Sequence, residues 1–224
     1  IKIYKNKKFF SSFFAFSPRF PIGADVALGD VNGDGKLEVV TGAGKGGSTH
    51  IRVLRLKGKF LNWQVWAFHP LYTGGVNIDV GDIDGDGKDE IGVCQSEQQG
   101  WCKVYKADKQ KTILFEKNVF GEREGGASIS FGDVDGDGKD EILVGTRFGR
   151  WAKILVYDEK GNVLPYVIYP FHPLYDGVLT LSSGDVDGDG QDEIGVCQGE
   201  QEAWCKIYKY NAQKTILYEW RLSL

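Results

Sequence analysis

Four segments of the chain set oxygen-bearing side chains at alternating positions. They are GDVNGDGKLE from Gly29, GDIDGDGKDE from Gly81, GDVDGDGKDE from Gly132 and GDVDGDGQDE from Gly184. Counted from the first aspartate, the oxygens stand at positions 1, 3, 5 and 9. These residues are Asp30, Asn32, Asp34 and Glu38 in the first segment and Asp82, Asp84, Asp86 and Glu90 in the second. In the third and fourth they are Asp133, Asp135, Asp137 and Glu141, then Asp185, Asp187, Asp189 and Glu193. Position 6 is glycine in every copy, which permits a sharp turn. Position 7, occupied by Lys36, Lys88, Lys139 or Gln191, can add its backbone carbonyl.

Alternate carboxylates on a tight loop converge, and their repulsion calls for a cation. A hard cation takes six to eight oxygen ligands at about 2.3–2.6 Å. The loops hold no His or Cys, which argues against zinc and copper. Magnesium prefers fewer protein ligands and keeps its water. Calcium fits best, as about four ions, one per loop. The first loop is the weakest because Asn32 removes a charge. Asp89, Asp140 and Asp192 at position 8 are expected to point outward as surface residues. An EF-hand is excluded, since its bidentate acid at position 12 is replaced here by Thr41, Val93, Val144 or Val196 inside a β-pattern.

The elements that hold these loops follow from the spacing. The loops recur after 52, 51 and 52 residues, and residues 81–116 match residues 184–219 at 26 of 36 positions. A period of about 50 residues is the size of a propeller blade. Within each unit, four short runs rich in Val, Ile, Leu and aromatics are separated by Gly and polar turns, as in ADVALGDV, LEVVTGAG, HIRVLRL and NWQVWAF. Such runs predict a four-stranded antiparallel meander. The expected fold is an all-β propeller of four complete blades, at 24–70, 76–120, 127–172 and 179–224. Residues 1–20 read as strands three and four of an incomplete blade, and the opening IKIYKN as mid-strand, so a piece of a longer protein is expected.

The pattern D-x-[DN]-x-D-G-x-x-[DE], between two strands of a 50-residue, four-stranded unit, resembles the FG-GAP repeat, also described as VCBS-like, of integrin α-subunit-type β-propellers. FGDVDGDGKDEILVGT at 131–146 carries it most fully. The resemblance implies calcium in the loop joining the first and second strands of each blade. It also implies a ring of commonly seven blades, so further blades would come from the parent chain or another subunit.

Strand order puts the acidic loops on one face and the 2–3 loops and inter-blade links on the other. That second face collects His69, Tyr72, Trp101, Trp151, His172, Tyr175 and Trp204, in CQSEQQGWC, TRFGRW, CQGEQEAWC and the twice-used FHPLY. These aromatics either form a ligand face that stacks on sugars or grips a protein, or pack between blades. Cys94/Cys102 and Cys197/Cys205 each span one hairpin, with Gly145 and Ala152 as the counterparts in the third unit. Their even count and the calcium chemistry favour disulfides in an extracellular or cell-surface setting.

Composition excludes other classes. The net charge is −4, but the acids are concentrated in the four loops and the remaining chain is basic. No contiguous basic face for nucleic acid is visible. No apolar run approaches a membrane-spanning length, and the sequence as given opens on no signal-peptide pattern. Three histidines and the absence of a nucleophile elbow, P-loop or metal-hydrolase motif argue against an enzyme. The expected function is an extracellular calcium-binding propeller module for adhesion or recognition of a protein or glycan, its calcium structural rather than catalytic. The alternatives are a purely structural repeat of a surface or filament protein and a carbohydrate-binding propeller.

Overall fold

The computed structural model describes residues 1–20, 22–121, 125–149, 151–199 and 204–222. Among them there are strands and turns and no helix. Strands β1 (Lys2–Lys5) and β2 (Lys8–Ser12) form a hairpin. Four blades follow. The first is β3 (Ala24–Gly29), β4 (Glu38–Ala43), β5 (His50–Arg55) and β6 (Phe60–Trp66). The second is β7 (Val76–Gly81), β8 (Glu90–Gln95), β9 (Trp101–Tyr105) and β10 (Ile113–Asn118). The third is β11 (Gly125–Gly132), β12 (Glu141–Phe148) and β13 (Ile154–Tyr157). The fourth is β14 (Leu179–Gly184), β15 (Glu193–Gln198), β16 (Trp204–Tyr208) and β17 (Ile216–Arg221). Every sheet pairs its strands in chain order, antiparallel throughout, which is the expected meander.

The third blade differs at its edge. Where a fourth strand is expected, the chain makes two isolated bridges, Tyr157 to Val163 and Ile154 to Ile168. Pro165 lies between them. Proline has no N–H to give to a ladder, so the strand is broken there. The flanking bonds survive, from Leu164 N to Val156 O at 2.8 Å and from Ile168 N to Ile154 O at 3.2 Å.

First strands pack side by side, β3 on β7, β7 on β11 and β11 on β14, so they run around a common axis. The core lies between blades rather than inside any one of them. One cluster joins Val40, Ile51 and Val53 to Ile78, Ile91 and Tyr105 across blades one and two. A second joins Ile83, Val104 and Phe115 to Ile129, Ile142 and Tyr157. A third joins Leu143, Ile154 and Val156 to Leu179, Ile194 and Tyr208. Each such side chain stabilises by about 1.5–3 kcal/mol when fully buried, and a blade therefore depends on its neighbour. Strands β4 and β8 are buried along their whole length, which is why apolar runs such as Val39–Val40 and Ile91–Cys94 follow the acidic loops.

The β1–β2 hairpin docks on the outer part of blade one. Ser11 Oγ donates to Leu56 O, and Arg52 Nη1 donates to Ala15 O at 2.6 Å. Inward of the hairpin, a cavity of about 400 Å³ is lined by Ile3, Tyr4, Phe10, Leu28, Leu37 and Leu56.

Candidate metal centres

Each acidic loop is a turn that its own aspartates tie together. Glycines at positions 4 and 6 adopt left-handed backbone angles, with φ of 74° and 82° at Gly85 and Gly87. A side chain would strain that geometry. The first aspartate collects the N–H groups this turn presents. Asp82 Oδ1 accepts from Gly85 N at 2.8 Å and Asp86 N at 3.1 Å, and Oδ2 accepts from Gly87 N at 2.9 Å. Asp30 does the same in its loop, and Asp133 and Asp185 accept from the glycine N–H groups of positions 4 and 6, the position-5 N–H of loop three going to Asp135 instead. The position-5 aspartates, Asp34, Asp86, Asp137 and Asp189, accept from the position-7 N–H.

The position-9 glutamates enter from the second strand and are buried. Exposure is 0% for Glu38, 2% for Glu90, 4% for Glu141 and 2% for Glu193. In the last three loops one oxygen accepts the N–H of position 2, from Ile83, Val134 or Val186 at 3.1, 3.0 and 2.9 Å. Burial, with the charges of Asp84 and Asp135 added, pushes the Glu90 and Glu141 carboxyls up to about 8. These sites resist carrying full negative charge unless a cation enters.

Carboxylate oxygens converge within 4.8 Å in three groups, Asp82–Asp84–Asp86, Asp133–Asp135–Glu141 and Asp185–Asp187–Glu193. All donors are hard oxygens. Asp84 Oδ1 is buried and has no hydrogen-bond partner. An orphaned buried oxygen of this kind fits a metal ligand. Glu90, Asp137 and Asp189 stand at the same loops but outside those groups. In the first loop no such group forms among the described residues. There Asn32 Nδ2 donates to one Glu38 oxygen, and Arg55 Nη1 holds the other at 2.6 Å.

The position-8 expectation is corrected. Asp89, Asp140 and Asp192 do not point outward. Each is half-buried and clasps the preceding blade. Asp89 Oδ2 accepts from Asp30 N at 2.7 Å while its own N–H donates to Asp30 O at 3.1 Å. Asp140 does the same to Asp82, at 2.9 and 3.0 Å. Asp192 N donates to Asp133 O at 2.8 Å, and its carboxylate takes the Asp133 N–H. Gly29, Gly81 and Gly132, before the first three loops, make room for this clasp, since a Cβ at Gly81 would stand 2.5 Å from Asp140 Oδ2. Burial raises the Asp140 carboxyl to about 6, against the opposing pull of the Asp82 N–H. Position 7 reaches the same way. Lys88 covers Gly33, Lys139 lies against Gly85, and Gln191 covers Gly136.

Sequence reasoning also missed a set of residues at the end of each third strand. Arg55, Lys106, Asp158 and Lys209 recur at spacings of 51, 52 and 51. Lys106 Nζ lies 2.5 Å from Asp84 Oδ2 and 2.9 Å from Asp86 Oδ2. Lys209 Nζ lies 2.6 Å from Asp187 Oδ2 and 2.5 Å from Asp189 Oδ2. The spacing was the available signal, but only strand pairing shows that Arg55, Lys106 and Lys209 face the loops.

On the opposite face the aromatics divide. Tyr72 and Tyr175 are 5% exposed. The Tyr72 hydroxyl donates to Gly75 O at 2.9 Å and accepts from Glu97 N at 3.0 Å, and the Tyr175 hydroxyl donates to Val178 O at 2.8 Å. They lock the inter-blade link. His69 and His172 are exposed, and each Nδ1 caps its own turn by accepting from Leu71 N or Leu174 N at 3.2 Å. Trp101 and Trp204 are half-buried, and Trp151 is 60% exposed. Arg150 and residues 200–203 of this face lie outside the described residues.

Cys94–Cys102 and Cys197–Cys205 are disulfides, each between facing residues with Cα atoms 4.1 Å apart. The third-blade counterparts are Gly145 and Ile154, not Gly145 and Ala152. The blade-three hairpin holds one extra residue between its paired positions, so the register counts back from Tyr157 rather than forward from Trp151.

A profile of the FG-GAP-like repeat matches residues 30–93 and 133–196. The chain is similar to integrin alpha pat-2 of Caenorhabditis elegans, 25% identical over 195 residues, which cover 75% of this chain and 15% of that protein. It is similar to integrin alpha-8 of Gallus gallus, 28% identical over 169 residues, covering 64% of this chain and 16% of that protein. Thus the chain spans about one sixth of the length of these relatives. Among solved structures, the exotype rhamnogalacturonan lyase YesX shares the fold with a TM-score of 0.55 at 19% identity, over 89% of this chain and 48% of that one.

Proposed function

The chain belongs to the FG-GAP-like repeat family, and from that premise we propose that it is an extracellular calcium-binding propeller module for adhesion or recognition. The observation that carries this reading is the convergence of hard oxygens in the acidic loops, with Asp84 Oδ1 buried among them and unpartnered. The ligands would be Asp82, Asp84, Asp86 and Glu90 in blade two, Asp133, Asp135, Asp137 and Glu141 in blade three, and Asp185, Asp187, Asp189 and Glu193 in blade four. The position-7 carbonyls of Lys88, Lys139 and Gln191 would complete the sets. When bound, calcium supplies the positive charge that lets buried glutamates ionise.

Its role is structural. Each loop joins the first and second strands of a blade, and in the first three the next blade grips the loop's first aspartate, so ordering such a loop orders the blade interface. No catalytic step is assigned to the chain, because its acids serve the turn and its exposed histidines cap their own turns. The disulfides and the similarity to integrin alpha subunits support an extracellular setting. A protein or glycan partner would meet the face that carries Trp101, Trp151 and Trp204.

Metal content by mass spectrometry after dialysis, with thermal melting in calcium and in chelator, tests the reading. Bound calcium and a clear drop in melting temperature on chelation are expected. No bound ion, together with identical melting curves, overturns it.

A further inference from the structure

The four loops share their acids but not the residue that faces them from the end of the third strand. In blade one the Arg55 guanidinium forks between Glu38 Oε1 at 2.6 Å and Asp34 Oδ2 at 2.8 Å. Asn32 takes the other Glu38 oxygen. Both oxygens of the buried carboxylate are therefore spent, and the planar fork fills the space a metal would need.

In blades two and four an ammonium stands among the same oxygens. Lys106 contacts Asp84 and Asp86 and lies 4.0 Å from Glu90 Oε1. Lys209 contacts Asp187 and Asp189 and lies 3.7 Å from Glu193 Oε1. An ammonium brings one charge on a flexible stem where calcium brings two, so a divalent ion can displace it, at a cost in affinity.

Blade three has no such cation among the described residues. Its third strand is followed by Asp158, whose carboxylate caps its own turn by accepting from Lys160 N, Asn162 N and Asn162 Nδ2 at 3.0, 2.7 and 2.8 Å. The side chain reaching over this loop from the next blade is the neutral Gln191, where the first two loops receive Lys88 and Lys139. Glu141, 4% exposed, spends one oxygen on Val134 N and Asp135 N, and its other oxygen has no donor among the described residues.

We propose that the third-strand residue sets each loop's demand for metal: Arg55 replaces the ion in loop one, Lys106 and Lys209 compete with it in loops two and four, and loop three is the tightest site. This rests on the calcium reading above and replaces the four ions expected from the sequence with three of unequal affinity.

Calorimetric titration of the full chain with calcium chloride tests it, alongside metal content by mass spectrometry. The wild type should bind three ions, one more tightly than the other two. Lys106→Gln with Lys209→Gln should tighten the two weaker sites by about tenfold or more. Asp158→Lys should remove the tight step. Arg55→Gln should open a further, weak site. Four equivalent ions in the wild type, or a lysine double variant that titrates like the wild type, overturns the proposal while leaving the calcium reading intact. No binding at all overturns both.

Discussion

Blades three and four carry the same loop phrase, GDVDGDG, at 132–138 and 184–190, yet little around the two loops is shared. Blade four has an ammonium in its loop, a disulfide across its hairpin and a regular outer strand. Blade three has Asp158, a Gly145–Ile154 pair and an edge interrupted at Pro165. The local sequence dictates how the turn is built. What balances its charge and ties its strands is decided by residues far away in sequence. On the calcium reading proposed above, a blade with few covalent or ionic ties of its own would lean on its metal and its neighbours.

Chelation should produce the largest effect and expose this contrast. An ion present at about a hundred times its Kd stabilises by about 2.7 kcal/mol. Hydrogen exchange in excess chelator should release the amides of β11 and β12 before those of β14 and β15. Equal release would break the comparison.

The loss should also grow with pH. The Glu90 and Glu141 carboxyls are held near 8 in the folded protein, above their ordinary 4.5. The ion-free fold binds those protons more tightly than the unfolded chain, so its stability falls as pH rises from 4.5 to about 8. Melting in chelator at both ends of that window, with calcium flattening the difference, checks the sign.

Next in size is the disulfide. Cys197→Ala with Cys205→Ala should cost about 2–4 kcal/mol in urea unfolding and bring blade four closer to blade three in exchange rate. A smaller effect is expected at the clasp. Asp140→Ala leaves the Asp82 N–H without its acceptor and should cost about 1–3 kcal/mol. Asp140→Asn keeps an acceptor and should cost less. If both variants melt alike, the clasp is not what joins these blades.

Much of this was legible in the sequence because turn chemistry is local and appears four times. The loops, the strand order, the two faces and the pairing of cysteines follow from glycine positions, alternation and spacing. The broken edge of blade three was missed, with four complete blades expected, although Pro165 was the signal for it. What stayed hidden crosses between strands or blades. Asp89, Asp140 and Asp192 look like solvated turn acids until the preceding blade is set beside them. Lys106 and Lys209 look like ordinary surface lysines until antiparallel pairing carries them to the loop. Tyr72 and Tyr175 look like ligand-face aromatics until their hydroxyls are seen to close the inter-blade link.

The position-8 clasp has a direction. Every grip is made by the later blade on the first aspartate of the earlier one, and position 8 of the first loop is Leu37, which cannot make it. The blades thus form a one-way row of nearest-neighbour couplings, the kind of array whose cooperativity is propagated unit by unit. Substituting a single clasp aspartate should split one unfolding transition into two, at the boundary where that aspartate sits. At blade one the row is interrupted, since Leu37 meets the β1–β2 hairpin with an apolar side chain beside Ile3, Tyr4 and Phe10 instead of a carboxylate clasp.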